Sequence, residues 1–253
     1  MQLHAKIIGE GTPFIILHGF LGMGDNWKTL GNQFAEAGYE VHLVDQRNHG
    51  RSFHSDAFNY ELLAEDLQKY CEDHHLREVV LLGHSMGGKT AMEFATNFPD
   101  RVAKLLIADI APKAYPQHHQ DILKGLSSLD FSMINSRSEA DEALSEYIPE
   151  VGVRQFLLKN LYWVAKGQLG LRMNLKALKE NIAEVGKALS EGGLYNGPTL
   201  FLRGANSGYI TQADAIHIAH HFPKAQIVTI SNAGHWLHAE NPSAFFDAVL
   251  HFL

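Results

Sequence analysis

One hydroxyl in this chain stands in a setting made almost entirely of small residues. Gly83-His84-Ser85-Met86-Gly87-Gly88 follows the apolar residues Val79 to Leu82 and runs into helix-forming residues from Lys89 onward. G-x-S-x-G between a strand and a helix is a sharp turn that lifts the serine oxygen above a sheet edge. The glycines two before and two after the serine face each other too closely for side chains. A serine hydroxyl attacks at neutral pH only when a base within hydrogen-bond reach takes its proton. A histidine must therefore be brought to Ser85, and sixteen are available. His74 and His75 end a charged helical stretch, and His118 and His119 open a long insertion. His217 and His221 have the i, i+4 spacing of a metal pair but lack an HExxH-type context, so no metal site is expected there. His235 differs from all of these. It stands in Ser231-Asn232-Ala233-Gly234-His235-Trp236, a glycine-containing loop after the last apolar run, which lets an imidazole reach back over the sheet edge. His238, nearer the final helix, is its competitor.

An imidazole in this role needs a carboxylate on its second nitrogen, to fix the tautomer and stabilise the imidazolium. The loop after residues 198–204 is the usual place for that acid. Here it reads Arg203-Gly204-Ala205-Asn206-Ser207-Gly208-Tyr209-Ile210 and holds no Asp or Glu. Asn206 and Ser207 have the polarity to orient a ring but not the charge to stabilise its cation, and Asp214 falls in the next helix. Asp109, in Leu105-Leu106-Ile107-Ala108-Asp109-Ile110, ends the preceding apolar run, one strand over from Ser85. The order serine, acid, histidine fits Asp109 and does not fit the second candidate, Asp45. The alternative role for Asp109 is a hydrogen-bonding residue at a hinge.

A tetrahedral intermediate also needs donors for its oxyanion. The backbone amide of Met86, directly after the serine, is one; the amide of Phe20, in His18-Gly19-Phe20-Leu21-Gly22, is the other expected. His18 reads as a structural ring tying that loop down. Trp163, beside Tyr162, and Trp236, beside His235, are the candidate walls of an acyl pocket, although an aromatic pair at helical spacing is more often core packing.

These residues need a scaffold that delivers them to one rim. Short runs rich in Val, Ile and Leu at 13–19, 40–47, 78–84, 103–110, 198–204 and 225–230 read as strands buried on both faces. Helical segments between them, at about 26–38, 61–75, 86–98, 211–221 and 242–253, favour a mostly parallel α/β sheet. One interval breaks the rhythm. Residues 113–195 contain no convincing strand and several helical patterns, among them 153–166, so they are expected to form an inserted helical cap between core segments 1–112 and 196–253.

Composition narrows the class further. A net charge of −7 and scattered Lys and Arg argue against a nucleic-acid surface. The single cysteine, Cys71, excludes an intrachain disulfide. The opening residues lack the pattern of a secretory signal, and no apolar run approaches membrane-spanning length. A cytoplasmic enzyme with a small-molecule substrate and neither nucleic acid nor membrane as partner is expected; oligomeric state stays open.

Taken in order, HGFLG, DQRNHGRS, GHSMGG and NAGHW resemble the motifs of the α/β-hydrolase superfamily, across essentially the whole chain. The acid-less GANSGYI loop and the Asp of IADIAP further resemble the YbfF-type bacterial esterases. That resemblance implies hydrolysis of carboxylic esters, extending to acyl-CoA thioesters, through an acyl-enzyme. It implies Asp109 as the triad acid, a cap over the active site, and no metal or organic cofactor. Related sequences often carry Gly where this chain has Asn48. A serine at the elbow argues against the dehalogenases and epoxide hydrolases of this fold, which need a carboxylate there. A lyase, or a ligand-binding receptor with weak turnover, are the alternatives.

Overall fold

The apolar runs line up as one sheet. In the computed structural model, which describes residues 1–253, nine strands form: β1 Ala5–Ile8, β2 Thr12–Leu17, β3 Tyr39–Val44, β4 Val79–His84, β5 Val102–Ala108, β6 Leu161–Ala165, β7 Gln168–Leu171, β8 Thr199–Gly204 and β9 Ala225–Ile230. Seven of them make the central sheet in the order β1-β3-β2-β4-β5-β8-β9. Every neighbouring pair is parallel except β1 with β3. Alternation along each strand sends side chains to two faces. Ile15, Leu17, Leu81 and Ile107 join one apolar layer with Leu67 and Phe94, from helices Tyr60–Asp73 and Met86–Asn97. Phe14, Ile16, Leu82 and Leu106 join the other, with Phe34 and Phe245 from helices Lys28–Glu36 and Pro242–Phe252. Full burial of such a side chain contributes about 1.5–3 kcal/mol, so both faces drive the sheet to be covered.

Two strands of the central sheet depart from the sequence-based expectation. β1 is a four-residue antiparallel edge strand with no fully buried residue, too short and too weakly patterned to announce itself. β9 was expected to be buried on both faces, yet it is the opposite edge and exposes four consecutive residues, Gln226 to Thr229.

Between β5 and β8 the chain makes its long excursion. It forms helices Gln120–Ser128, Arg137–Ser145, Val151–Leu158, Leu175–Glu180 and Ile182–Val185. The helical expectation for 153–166 fails beyond Leu158, because β6 and β7 pair as an antiparallel hairpin. The physical reason is local: Tyr162, Trp163 and Val164 favour strand, and Gly167, at φ 78°, turns the chain. Leu126, Leu144, Leu157, Leu169 and Leu178 of the excursion pack together, and Phe20, Leu21 and Met86 of the sheet edge join them. Both crossings between excursion and core meet at one side chain. Lys89, on helix Met86–Asn97, is buried, and its Nζ donates to the carbonyls of Lys113, at 2.5 Å, and Lys187, at 2.7 Å. Burial pushes its ammonium down to about 7.

Candidate active site

The chain turns sharply where β4 ends. Ser85 has φ 53° and ψ −117°, a backbone state that costs about 1–3 kcal/mol for a residue with a side chain. Its amide donates to the carbonyl of Ala108 on the neighbouring strand at 3.0 Å, which helps hold the turn. A Cβ on Gly83 would lie 2.1 Å from the carbonyl oxygen of Gly87, and one on Gly87 would lie 2.4 Å from that of Leu17. Those contacts are why only glycine fits on either side of the elbow.

The three groups expected from the sequence meet at this rim. His235 Nε2 lies 3.0 Å from Ser85 Oγ, and His235 Nδ1 lies 2.8 Å from Asp109 Oδ2. Asp109 follows β5, adjacent to β4, at φ 51°, a left-handed conformation that Asp tolerates better than most residues. It is completely buried, and its carboxylate is not left bare. Oδ1 accepts from the amide of Gly204 at 3.0 Å, and Oδ2 accepts from the Ser207 hydroxyl as well as from the imidazole. Ser207 thus touches the acid rather than the ring.

Two aromatic neighbours fix the His235 ring. Tyr209 stacks on it with centroids 3.8 Å apart and planes 17° from parallel, and His84 stands 4.8 Å away on the same ring. His84 Nε2 also donates to the His235 carbonyl at 2.8 Å. Tyr209 is itself held, its carbonyl accepting from the Tyr115 hydroxyl at 2.7 Å and its hydroxyl hydrogen-bonded to His118 Nε2 at 2.5 Å. Sequence reasoning missed Tyr209. The available signal was an aromatic residue in the loop that had lost its acid.

The remaining candidates are occupied elsewhere. Asp45 accepts from the amides of Gly24 at 2.7 Å and Arg51 at 2.9 Å, which shapes the loop after β3. Asp214 caps its turn through Thr211 and pairs with Lys113 at 2.7 Å. His18 accepts from the Gln46 amide at 3.0 Å, the structural role expected of it. His238 stacks on Trp27 at 4.1 Å. Asn48 adopts φ 64°, a left-handed state that Asn tolerates better than most residues, and its carbonyl accepts from the Asn174 amide of the excursion at 2.8 Å.

Burial also sets the electrostatics. It pushes His18 and His119 down to about 4 and His49 and His238 down to about 3, and it holds His84 well below the ordinary imidazole value. All five rings are neutral at pH 7, so none places a second cation beside His235. Of the two expected oxyanion donors, Met86 is the first residue of its helix, where an amide has no intrahelical acceptor. The Phe20 amide donates to no group of the protein, whereas that of Leu21 next to it donates to His49 Nε2 at 3.2 Å.

Ser85 and His235 open into a cavity of about 470 Å³, walled by Phe20, Ile122, Val153, Phe156 and Trp236. Trp236 is where the sequence placed it, 5.7 Å from the ring of Phe156. Trp163 is not: it lies on β6, outside the cavity, with 58 % of its surface exposed. The aromatic pair at 162–163 sits on a strand, not a helix, so its faces do not point where helical spacing implied. Nowhere do three or more His, Cys, Asp or Glu side chains cluster in a way that could hold a metal ion.

A strand-to-helix serine elbow on a mostly parallel sheet, with the ordered loops around it, defines a class of protein, and comparison with known sequences agrees. Residues 12–133 match the α/β hydrolase fold family. The chain belongs to that family, among its carboxylic ester hydrolases. It is 39 % identical to the mouse sn-1-specific diacylglycerol lipase ABHD11, an alignment spanning 97 % of this chain and 82 % of that one. It is 31 % identical to esterase YbfF of Escherichia coli K12, over 96 % of this chain and 94 % of that one. Among solved structures, a marine microorganism esterase superposes with a TM-score of 0.97 at 42 % identity and complete coverage of both chains.

Proposed function

We propose that this enzyme cleaves carboxylic esters, and acyl-CoA thioesters, through a Ser85–His235–Asp109 triad and an acyl-enzyme. The observation that carries the reading is the unbroken path from Ser85 Oγ through both imidazole nitrogens to a buried carboxylate, at 3.0 and 2.8 Å. His235 takes the Ser85 proton as Oγ attacks the carbonyl carbon. The amides of Phe20 and Met86 hold the oxyanion, and His235 returns the proton to the departing alkoxide or thiolate. A water, deprotonated by the same imidazole, then attacks the acyl-enzyme; the carboxylic acid leaves and Ser85 regains its proton. Asp109 stays ionised throughout and stabilises the imidazolium. Every step uses side chains, amides and water.

The cavity supports an acyl substrate of modest size. Its volume falls in the ordinary range for small-molecule sites, and its apolar walls fit a hydrocarbon chain. In this reading residues 113–195 are the cap, since Ile122, Val153 and Phe156 come from them. A thioester presents the same carbonyl, and a thiolate leaves with less need of a proton. The test is a chain-length panel of p-nitrophenyl esters and acyl-CoAs with wild type and Ser85→Ala. Turnover lost in the variant, with an acyl mass trapped on the Ser85 peptide of the wild type, is the expected result. Undiminished turnover removes Ser85 from the mechanism, and turnover without an adduct favours elimination by a lyase.

A further inference from the structure

Trp163 is a large apolar side chain with no place in the cavity, and the hairpin explains what it is doing. Directly paired residues on an antiparallel ladder share a face. Trp163 pairs with Leu169, and Leu161 with Leu171, so these four share one face. Leu169 is buried in the apolar cluster of the excursion, with Leu161 and Leu171 packed against that cluster. Trp163 continues the same face toward the turn, where more than half of its surface is open. On the opposite face Val164 and Tyr162 close over Gly170, and Arg172 lies over the Tyr162 ring at 4.6 Å. Trp163 is 58 % and Val164 53 % exposed, and Lys166 stands exposed at the turn between the strands. Val151, 60 % exposed, begins the helix whose Gly152, Val153 and Phe156 line the cavity.

Along the sequence between Glu150 and Glu180 the charge is one-sided. Residues 151–179 carry six Lys or Arg and no Asp or Glu, in a chain whose net charge is −7. Arg154 is buried and paired with Asp141. Lys159, Lys166, Arg172, Lys176 and Lys179 form no ion pair. Lys159 is both exposed and part of the cavity wall, so the basic surface reaches the mouth of the site. An exposed Trp and Val at a turn, flanked by unpaired cations, is matched to the boundary between acyl chains and negatively charged headgroups. A second copy of this chain presents the same positive charge, which opposes self-association through this face.

We propose that the β6–β7 hairpin is a docking surface for an anionic phospholipid bilayer, on which Trp163 and Val164 enter the headgroup layer beside the cavity mouth. No helix is long and apolar enough to cross a membrane, and attachment at headgroup depth needs none. The proposal goes against the expectation of no membrane partner, which rested on the absence of a spanning segment. The surface stands independently of the catalytic reading; only the delivery of lipid-borne esters to Ser85 rests on it.

The experiment is flotation of the full-length protein with vesicles of phosphatidylcholine alone and of equimolar phosphatidylcholine and phosphatidylglycerol. Wild type is expected to float with the anionic vesicles and to detach at high salt. The double variant Trp163→Ala, Val164→Ser should lose at least about tenfold in partitioning, and Lys166→Glu several-fold. Both should turn over a short water-soluble p-nitrophenyl ester at the wild-type rate, which shows that the fold and site are intact. Wild-type protein that stays with neither vesicle, or variants that bind as wild type does, would overturn the proposal. So would a dimer, seen by sedimentation velocity, that the double variant dissolves, since the hairpin is then a contact between copies. Failure of Ser85 chemistry appears instead as loss of soluble-ester turnover in the wild type, with flotation unaffected.

Discussion

The sheet edge and the segment laid over it are built by different rules. At the edge, position is set by backbone. Ser85 and Asp109 end adjacent parallel strands, both at positive φ, and the amides around them are tied to neighbouring strands. Over the edge, side chains carry most of the ties, beside a backbone bond from Asn174 to Asn48. Lys89 holds both crossings, Asn160 Nδ2 donates to the Leu21 carbonyl at 2.9 Å, and His118 meets Tyr209. Groups placed for proton transfer need positions held to a fraction of an ångström, which strand ends provide for Ser85 and Asp109 and ring contacts with Tyr209 and His84 provide for His235. The excursion is joined to the core by an apolar cluster with Phe20, Leu21 and Met86 and by hydrogen bonds from scattered side chains, none of which belongs to the Ser85–His235–Asp109 contacts.

The largest effect that sharpens this contrast is at the edge. Asp109→Asn is expected to lower kcat by up to about 10⁴ with little change in melting temperature, read by steady-state kinetics on a p-nitrophenyl ester. Asp45→Asn, which disturbs a loop and not the relay, should spare kcat; a collapse of kcat there instead would break the assignment. Next comes the attachment of the excursion. Lys89→Met leaves the Lys113 and Lys187 carbonyls without their donor, at a cost of about 2–4 kcal/mol, visible as a lower denaturation midpoint. Long-chain ester turnover should fall more than short-chain turnover, and equal losses would mean that both regions depend on this lysine.

Tyr209 joins the two regions, and its effects should be smaller. Tyr209→Ala removes the stack on His235 and is expected to lower kcat by about tenfold, whereas Tyr209→Phe keeps the ring and most of the rate. Loss in the Phe variant as deep as in Ala would transfer the role from the ring to the hydroxyl bonded to His118.

The smallest effect at neutral pH concerns a buried ring. His238 titrates at about 3 in the fold because of burial, against about 6.5 unfolded. Between these values the unfolded chain binds more protons, so the ring's contribution is complete above pH ~6.5 and is lost as pH falls toward ~3. His238→Phe keeps a ring against Trp27. Its melting temperature should match wild type at pH 7 and decline less steeply on acidification; an unchanged slope would sink the assignment.

Much of this arrangement is legible in the sequence. The elbow, the His235 loop and the end of β5 are short, local patterns whose chemistry permits few residue types, so Ser85, His235 and Asp109 stood out singly. Asp109 stood out partly by elimination, because the loop after β8 has no acid. The roles of Ser207 and Tyr209 did not stand out, since nothing in GANSGYI reveals that one side chain reaches a carboxylate and the other an imidazole. The excursion was legible in extent and not in detail. Residues 161–171 are apolar enough to read as helix, and the local strand signal of Tyr162, Trp163 and Val164 before the Gly167 turn is short beside it.

What the sequence determined alone is which groups are candidates and their order along the chain: a strained serine turn that tolerates only glycine at two positions, a histidine loop, and an acid at a strand end. Those constraints are short-ranged, and residue type is enough to state them. Only the tertiary structure decided who supports whom, and which aromatic residues wall a cavity and which face outward. Burial and contact between residues a hundred positions apart come from how the layers pack, so Trp236 and Trp163, alike in the sequence, end on opposite sides of that distinction.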